Sequence, residues 1–138
     1  MRFTPDNITE LTPDEVFVFG SNLAGRHGAG AARLAVLKFG AVYGKGVGLQ
    51  GQTYALPTKD SKLQTIPLCK LNVFIGAFLT DCRTKDGKTF LLTKIGCGLA
   101  GLTVPEVAGL FKNYLPLPPN LVLPKEFHDL IYEETQEP

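Results

Sequence analysis

Tryptophan is absent from the 138 residues, methionine occurs once, histidine twice and cysteine three times. Each scarcity removes a class of protein. The two histidines, His27 and His128, are far apart in the chain, which argues against a histidine-rich metal site. Cys69, Cys82 and Cys97 are odd in number and fit no zinc-ligand spacing. The expectation is therefore a reduced chain without a disulfide framework, in a cytoplasmic setting, with no metal and no cofactor. Neither sign of charge dominates, and the net charge of +1 leaves no electrostatic footprint for duplex nucleic acid. No apolar run approaches the length of a membrane span, so no membrane partner is expected. The first residues, MRFTPDNITE, carry no signal-peptide pattern. A P-loop is excluded, because GxxxxGK[ST] does not occur.

What is present is a globular composition, 44% hydrophobic and 20% charged, at a length that suits one domain over residues 1–138. Residues 1–14 are polar and read as a surface segment. Val16 to Phe19 is a short β-prone run stopped at Gly20. Ala29 to Phe39 reads as a helix capped by Gly40. The glycine cluster Gly44 to Gly51 reads as a turn into a strand at Gln52 to Pro57. Thr65 to Asp81 is helical in pattern, with Ile66, Cys69, Val73, Phe74 and Ala77 on its apolar stripe and Leu71, Ile75, Phe78 and Leu79 widening it. Thr89 to Lys94 reads as a buried strand. Val104 to Tyr114 reads as a helix with Thr103 as N-cap and Glu106 at its positive end. Asn120 to Leu123 and Pro124 to Glu134 read as a last strand and a short helix or tail. Alternation of this kind predicts an α/β domain, its mostly parallel or mixed sheet covered by helices on both faces.

Glycine is abundant, and its placement carries the functional argument. The stretch Phe19-Gly20-Ser21-Asn22-Leu23-Ala24-Gly25-Arg26-His27-Gly28-Ala29-Gly30-Ala31 links a strand to a helix that starts with small residues. Ile95-Gly96-Cys97-Gly98-Leu99-Ala100-Gly101-Leu102 does the same after the later strand. Glycine lets the backbone approach a ligand closely, and a helix start offers unpaired N–H groups to an anion. In a mostly parallel sheet, ligands sit beyond the carboxyl ends of the strands, where both stretches fall. Arg26 matches phosphate geometry. His27 reads as a bystander. Gln50 is a cleft residue or part of a plain turn, and Cys97 reads as a packing residue.

Together these segments resemble the macrodomain family of ADP-ribose-binding modules. RHGAGAARLAVLKFGAV, YALPTKD, IGCGLAGL and VPEVAGLF carry the resemblance. It is closest to the branch that removes terminal ADP-ribose from glutamate and to small macrodomain-like proteins of phages and bacteria. The family implies a three-layer α/β/α sandwich with a mixed central sheet, and ADP-ribose or an ADP-ribosylated substrate as partner. By the resemblance, Asn22 contacts the distal ribose. Gly28, Gly30 and Ala31 bind the diphosphate through backbone N–H groups, and Gly96, Cys97, Gly98 and Leu99 form the opposing loop. Gly20, Ser21, Arg26, Ala29, Ile95, Ala100 and Gly101 are further ligand-binding candidates. Lys59 stands at the position of the branch's catalytic lysine. That branch carries an acid just after GCGL, where this chain has Ala100; Asp60 is the substitute candidate. Asp14 is the candidate for the adenine-contacting aspartate. Three functions remain open on the sequence: a nucleotide-binding module, a glycohydrolase using Lys59, and an interaction protein that uses the fold without a nucleotide.

Overall fold

A computed structural model describes residues 1–132. Its sheet is built on β1 (Glu15–Asn22), whose residues are almost continuously buried, as a central parallel strand requires. The strand does not stop at Gly20, as the sequence suggests, but runs on to Asn22. Gly20 serves another purpose: a β-carbon there would lie 3.3 Å from the backbone nitrogen of Gly96. Its absence lets the end of β1 and the second glycine stretch lie side by side.

Four further strands complete the sheet: β2 (Gly48–Gln50), β3 (Thr53–Lys59), β4 (Thr89–Leu92) and β5 (Leu121–Val122). Their order is β2-β3-β1-β4-β5. β1 pairs in parallel with both β3 and β4, β4 pairs in parallel with β5, and β2 alone runs antiparallel against β3. The sheet is therefore mixed. The glycine cluster expected to be only a turn contains β2, whose pairing with β3 is recorded by Leu49 opposite Tyr54. The final strand is shorter than Asn120–Leu123. Asn120 instead donates its side-chain amide to the carbonyls of Cys82, Lys85 and Lys88, which fixes the turn into β4.

Alternation along β1 divides the core in two. Phe17 and Phe19 point to one face and pack with Ala32, Ala35 and Phe39. These belong to α1 (Gly30–Leu34), which continues as a π-helical turn over Ala35–Phe39 and ends at Gly40 in the left-handed conformation. Val16 and Val18 point to the opposite face. There they meet α2 (Leu68–Thr84), α3 (Val104–Lys112) and α4 (Lys125–Tyr132). The result is an α/β sandwich with helices on both faces of the sheet. Of the segment Pro124–Glu134, Glu133 and Glu134 lie outside the described residues.

α2 begins three residues later than its pattern suggests, and its buried stripe is rotated. Thr65 and Ile66 are extended and pair back onto the end of β3. Pro67 is the N-cap. Leu71, Ile75, Phe78, Leu79 and Cys82 face the sheet, whereas Val73 and Cys69 are exposed. No helix among the described residues is long and apolar enough to cross a membrane.

α3 starts as its sequence demands. Thr103 Oγ1 accepts from the Glu106 N–H at 3.2 Å, and Glu106 Oε1 accepts from the Thr103 N–H at 2.9 Å, a reciprocal capping box. This box anchors the exit of the second glycine stretch. Thr103→Ala is expected to cost about 1 kcal/mol, read as a lower urea midpoint with unchanged slope; an unaltered midpoint contradicts the capping role.

Candidate functional site

β1 and β4 are neighbouring parallel strands whose onward connections go to opposite faces, β1 through α1 and β4 through α3. Such a divergence leaves a crevice beyond the carboxyl ends of the two strands. A cavity of about 540 Å³ lies there. Its walls include Gly20, Ser21 and Asn22 from β1, then Arg26, Gly28, Ala29, Gly30 and Ala31 from the first loop. Thr58 and Lys59 come from β3, and Thr93, Lys94, Ile95, Gly96, Gly98, Leu99 and Ala100 follow β4. The sequence-predicted residues thus converge, with four exceptions: Asp14, Asp60, Cys97 and Gly101 do not line the cavity.

The first loop is held from within. Asn22 Nδ2 donates to the Arg26 carbonyl and Asn22 Oδ1 accepts from the Arg26 N–H, both at 2.9 Å. Asn22 therefore shapes the loop, and one amide hydrogen and one lone pair remain for a ligand. Ser21 Oγ donates to the Gly46 carbonyl at 2.5 Å. His27 does not line the cavity, and it is a buried brace instead of a surface loop residue, with 3% of its surface exposed. Its Nε2 lies 2.9 Å from the Lys45 carbonyl, so this nitrogen carries the proton, and its ring meets Phe19 edge-on. Gln50 is a brace too, accepting from the Val42 N–H and donating to the Lys45 carbonyl. Among the described residues no hydrogen bond uses the N–H groups of Gly28, Ala29, Gly30 or Ala31, and Ala29 caps α1 without a side-chain bond. These are orphan donors beside the cavity.

The second loop divides its amides in the same way. The N–H groups of Ile95, Cys97, Gly101 and Leu102 close bonds within the loop, to Thr93, Lys94, Gly98 and Gly96 respectively. Those of Gly96, Gly98, Leu99 and Ala100 bond to nothing among the described residues. Cys97 and Gly101 thus build the loop, and their neighbours face the cavity. Thr65 Oγ1 ties the loop to the chain after β3 by donating to the Ala100 carbonyl at 2.7 Å. Gly98 has an ordinary backbone conformation and nothing within 4 Å of an added β-carbon, so it needs no glycine for folding.

Charge on the walls is of one sign. Arg26, Lys59 and Lys94 line the cavity, and among the described residues no aspartate or glutamate does. Lys59 arrives by a register shift: Ser21 pairs with Pro57 but Asn22 pairs with Lys59, leaving Thr58 as the extra residue of a bulge. Asp60 follows the end of β3, and its Oδ1 accepts from the N–H groups of Lys62 and Gln64 at 2.8 and 3.0 Å. It is a loop cap and does not line the cavity. A methyl group, that of Ala100, stands on the wall instead of a carboxylate.

A second cavity, of about 630 Å³, shares Gly30, Ala31, Thr93 and Lys94 with the first. Asp6, Asn7, Ile8 and Thr9 line it above Phe17 and Leu34. Sequence reasoning missed these residues as a group; the one signal was Ile8, an apolar residue within a polar stretch, which is buried. The N-terminal segment is drawn there by Thr4, which bonds to Val122 and Leu123 through its side chain and its N–H. Asp14 is not near either cavity. Its carbonyl accepts from Thr89 at the amino ends of β1 and β4, the opposite edge of the sheet. Lys94, on the wall common to both cavities, donates to Glu126 Oε2 of α4 at 2.5 Å. That contact raises the lysine's pKa and lowers that of the glutamate.

Among the described residues no group of three or more His, Cys, Asp or Glu side chains could hold a metal ion. The Cys97 thiol is pushed up by burial, so it is protonated at neutral pH and a poor nucleophile. Burial also raises Cys82, far above the ordinary thiol range. Iodoacetamide at neutral pH is therefore expected to label the exposed Cys69 first, read by intact mass and peptide mapping; faster labelling of Cys97 contradicts this assignment. No protein-family model, no curated protein and no solved structure matches the chain.

Proposed function

We propose that the protein binds ADP-ribose, or a closely related nucleotide with a diphosphate bridge, across its two joined cavities. The observation that carries this reading is the chemistry of the first cavity among the described residues: free backbone N–H groups on both glycine loops and a charged lining of Arg26, Lys59 and Lys94 without a carboxylate. Backbone N–H groups and cations together suit a group with negative oxygens on several sides. The volume lies within the ordinary range for small-molecule sites. The diphosphate fits the boundary formed by Gly30 and Ala31, with the distal ribose toward Asn22 and Lys59. The second cavity supports a nucleoside half, since it combines the apolar floor of Phe17 and Leu34 with Asp6 and Asn7 as polar partners. The resemblance to macrodomains agrees with this assignment, and both are proposals about ligand and family alike.

Binding outranks hydrolysis in this reading. A covalent adduct on Lys59 needs an acid–base group to form and resolve at a useful rate. Asp60 is occupied by its own loop, and Ala100 brings no proton carrier.

Two experiments test the proposal. Calorimetry is expected to show ADP-ribose binding that Gly98→Val weakens by at least about tenfold, because a branched side chain fills the space of the phosphates. The thermal midpoint of that variant is expected to stay unchanged, since its β-carbon meets nothing. Absence of heat with the wild-type protein, or equal affinity in Gly98→Val, contradicts the reading and favours an interaction protein that works without a nucleotide. Incubation with glutamate-linked ADP-ribose is expected to release none. Release that Lys59→Ala abolishes overturns the binding-only assignment.

A further inference from the structure

Lys94 closes the second glycine loop through its carbonyl, which accepts from the Cys97 N–H, while its side chain bonds outside both loops. It follows β4, lines both cavities, and is the only cation that does so. Its ammonium is bonded to Glu126 on α4, and Asp6 on the second cavity's wall is close enough to act on it electrostatically. Among the described residues Asp6 is the one acid on the second cavity's wall, and Glu126 lines neither cavity but reaches Lys94 from α4. Lys94 is 38% exposed and Glu126 51% exposed, so water screens their pair and the fold gains little from it. A lysine ammonium on its flexible stem can change partners without moving the backbone. The pair is therefore a weak contact at the place where a diphosphate would pass from one cavity to the other.

We infer that Lys94 is the cation that takes the charge of the ligand's phosphates, and that Glu126 competes with the ligand for it. The ion pair opens when an anion binds, and α4 loses its tether to the end of β4 at that moment. The inference rests on the reading of the site as a diphosphate pocket. It adds a selection rule: the ligand must carry enough negative charge to displace a carboxylate. Nucleosides without phosphate meet Lys94 already satisfied and gain nothing from it.

The opposing roles of the two side chains make the test specific. Wild type, Lys94→Met, Glu126→Gln and the double variant are titrated by calorimetry with ADP-ribose and with inorganic pyrophosphate. Lys94→Met is expected to weaken both ligands roughly tenfold or more, the scale of a lost charge-assisted hydrogen bond. Glu126→Gln is expected to tighten both, and to have no effect when Lys94 is already Met. A pair that matters only for structure predicts the same direction for both single variants, because either one breaks the same contact; that result overturns the inference. Equal ADP-ribose affinity in wild type and Lys94→Met also overturns it, while leaving the nucleotide reading intact. Pyrophosphate binding that depends on Lys94, with no binding of ADP-ribose, upholds the inference and removes the nucleotide reading. Wild-type protein that takes up neither ligand overturns both.

Discussion

Beyond Asn22 and Leu92 the chain must leave two adjacent parallel strands in opposite directions, and everything at the candidate site follows from that divergence. The two connections cannot cover each other. Their backbone donors are left facing a gap, and the sheet holds them at a fixed separation. Gly20, lacking a β-carbon, lets the end of β1 lie against Gly96, so that separation stays small. The gap is then a cleft whose lining includes residues with backbone N–H groups unpartnered among the described residues. Three cations and, among the described residues, no carboxylate line it, so the charge on its walls is of one sign. On the proposed reading, each orphan donor is a positioned partner for an anion, at no further cost of ordering the chain.

Rigidity comes from the two cores behind the crevice. Phe17 and Phe19 tie β1 to α1 and its π-helical extension, which sets where the uncapped helix start points. Val16 and Val18 tie the same strand to α2, α3 and α4, which sets the second loop through the Thr103 capping box. The interior of the first loop is braced separately. Asn22, His27 and Gln50 each bond to backbone groups rather than to each other. These braces occupy polar side chains that a reading of the sequence assigns to the ligand or to solvent.

Several local signals hold, although Gly20 as a strand stop and Thr65 as a helix start do not. Thr103 with Glu106, Gly40 at a helix end, and the two strand–glycine–helix junctions all concern contacts within a few residues, and the fold follows them. Signals that depend on distant partners were not legible. β2 is a strand only because Leu49 finds Tyr54 across an antiparallel register, and its own glycines read as a turn. The face of α2 is decided by the sheet, which selects Leu71 and Ile75 over Val73. Asp6 to Thr9 reach the second cavity through a tie from Thr4 to Val122 and Leu123, more than a hundred positions away. Lys94 and Glu126 are 32 positions apart, and no spacing rule links them. Of the candidate site, the loops were visible and their division of labour was not, because which amide faces a cavity is a property of the closed loop.

The central claim is that both loops hold one ligand at the same time. Backbone amide resonances of isotopically labelled protein, followed during titration with ADP-ribose, test it most directly. The account predicts that Gly28 to Ala31 and Gly96 to Ala100 shift together along one saturating curve. Shifts confined to one loop, or none at saturating ligand for other nucleotide sites, contradict it.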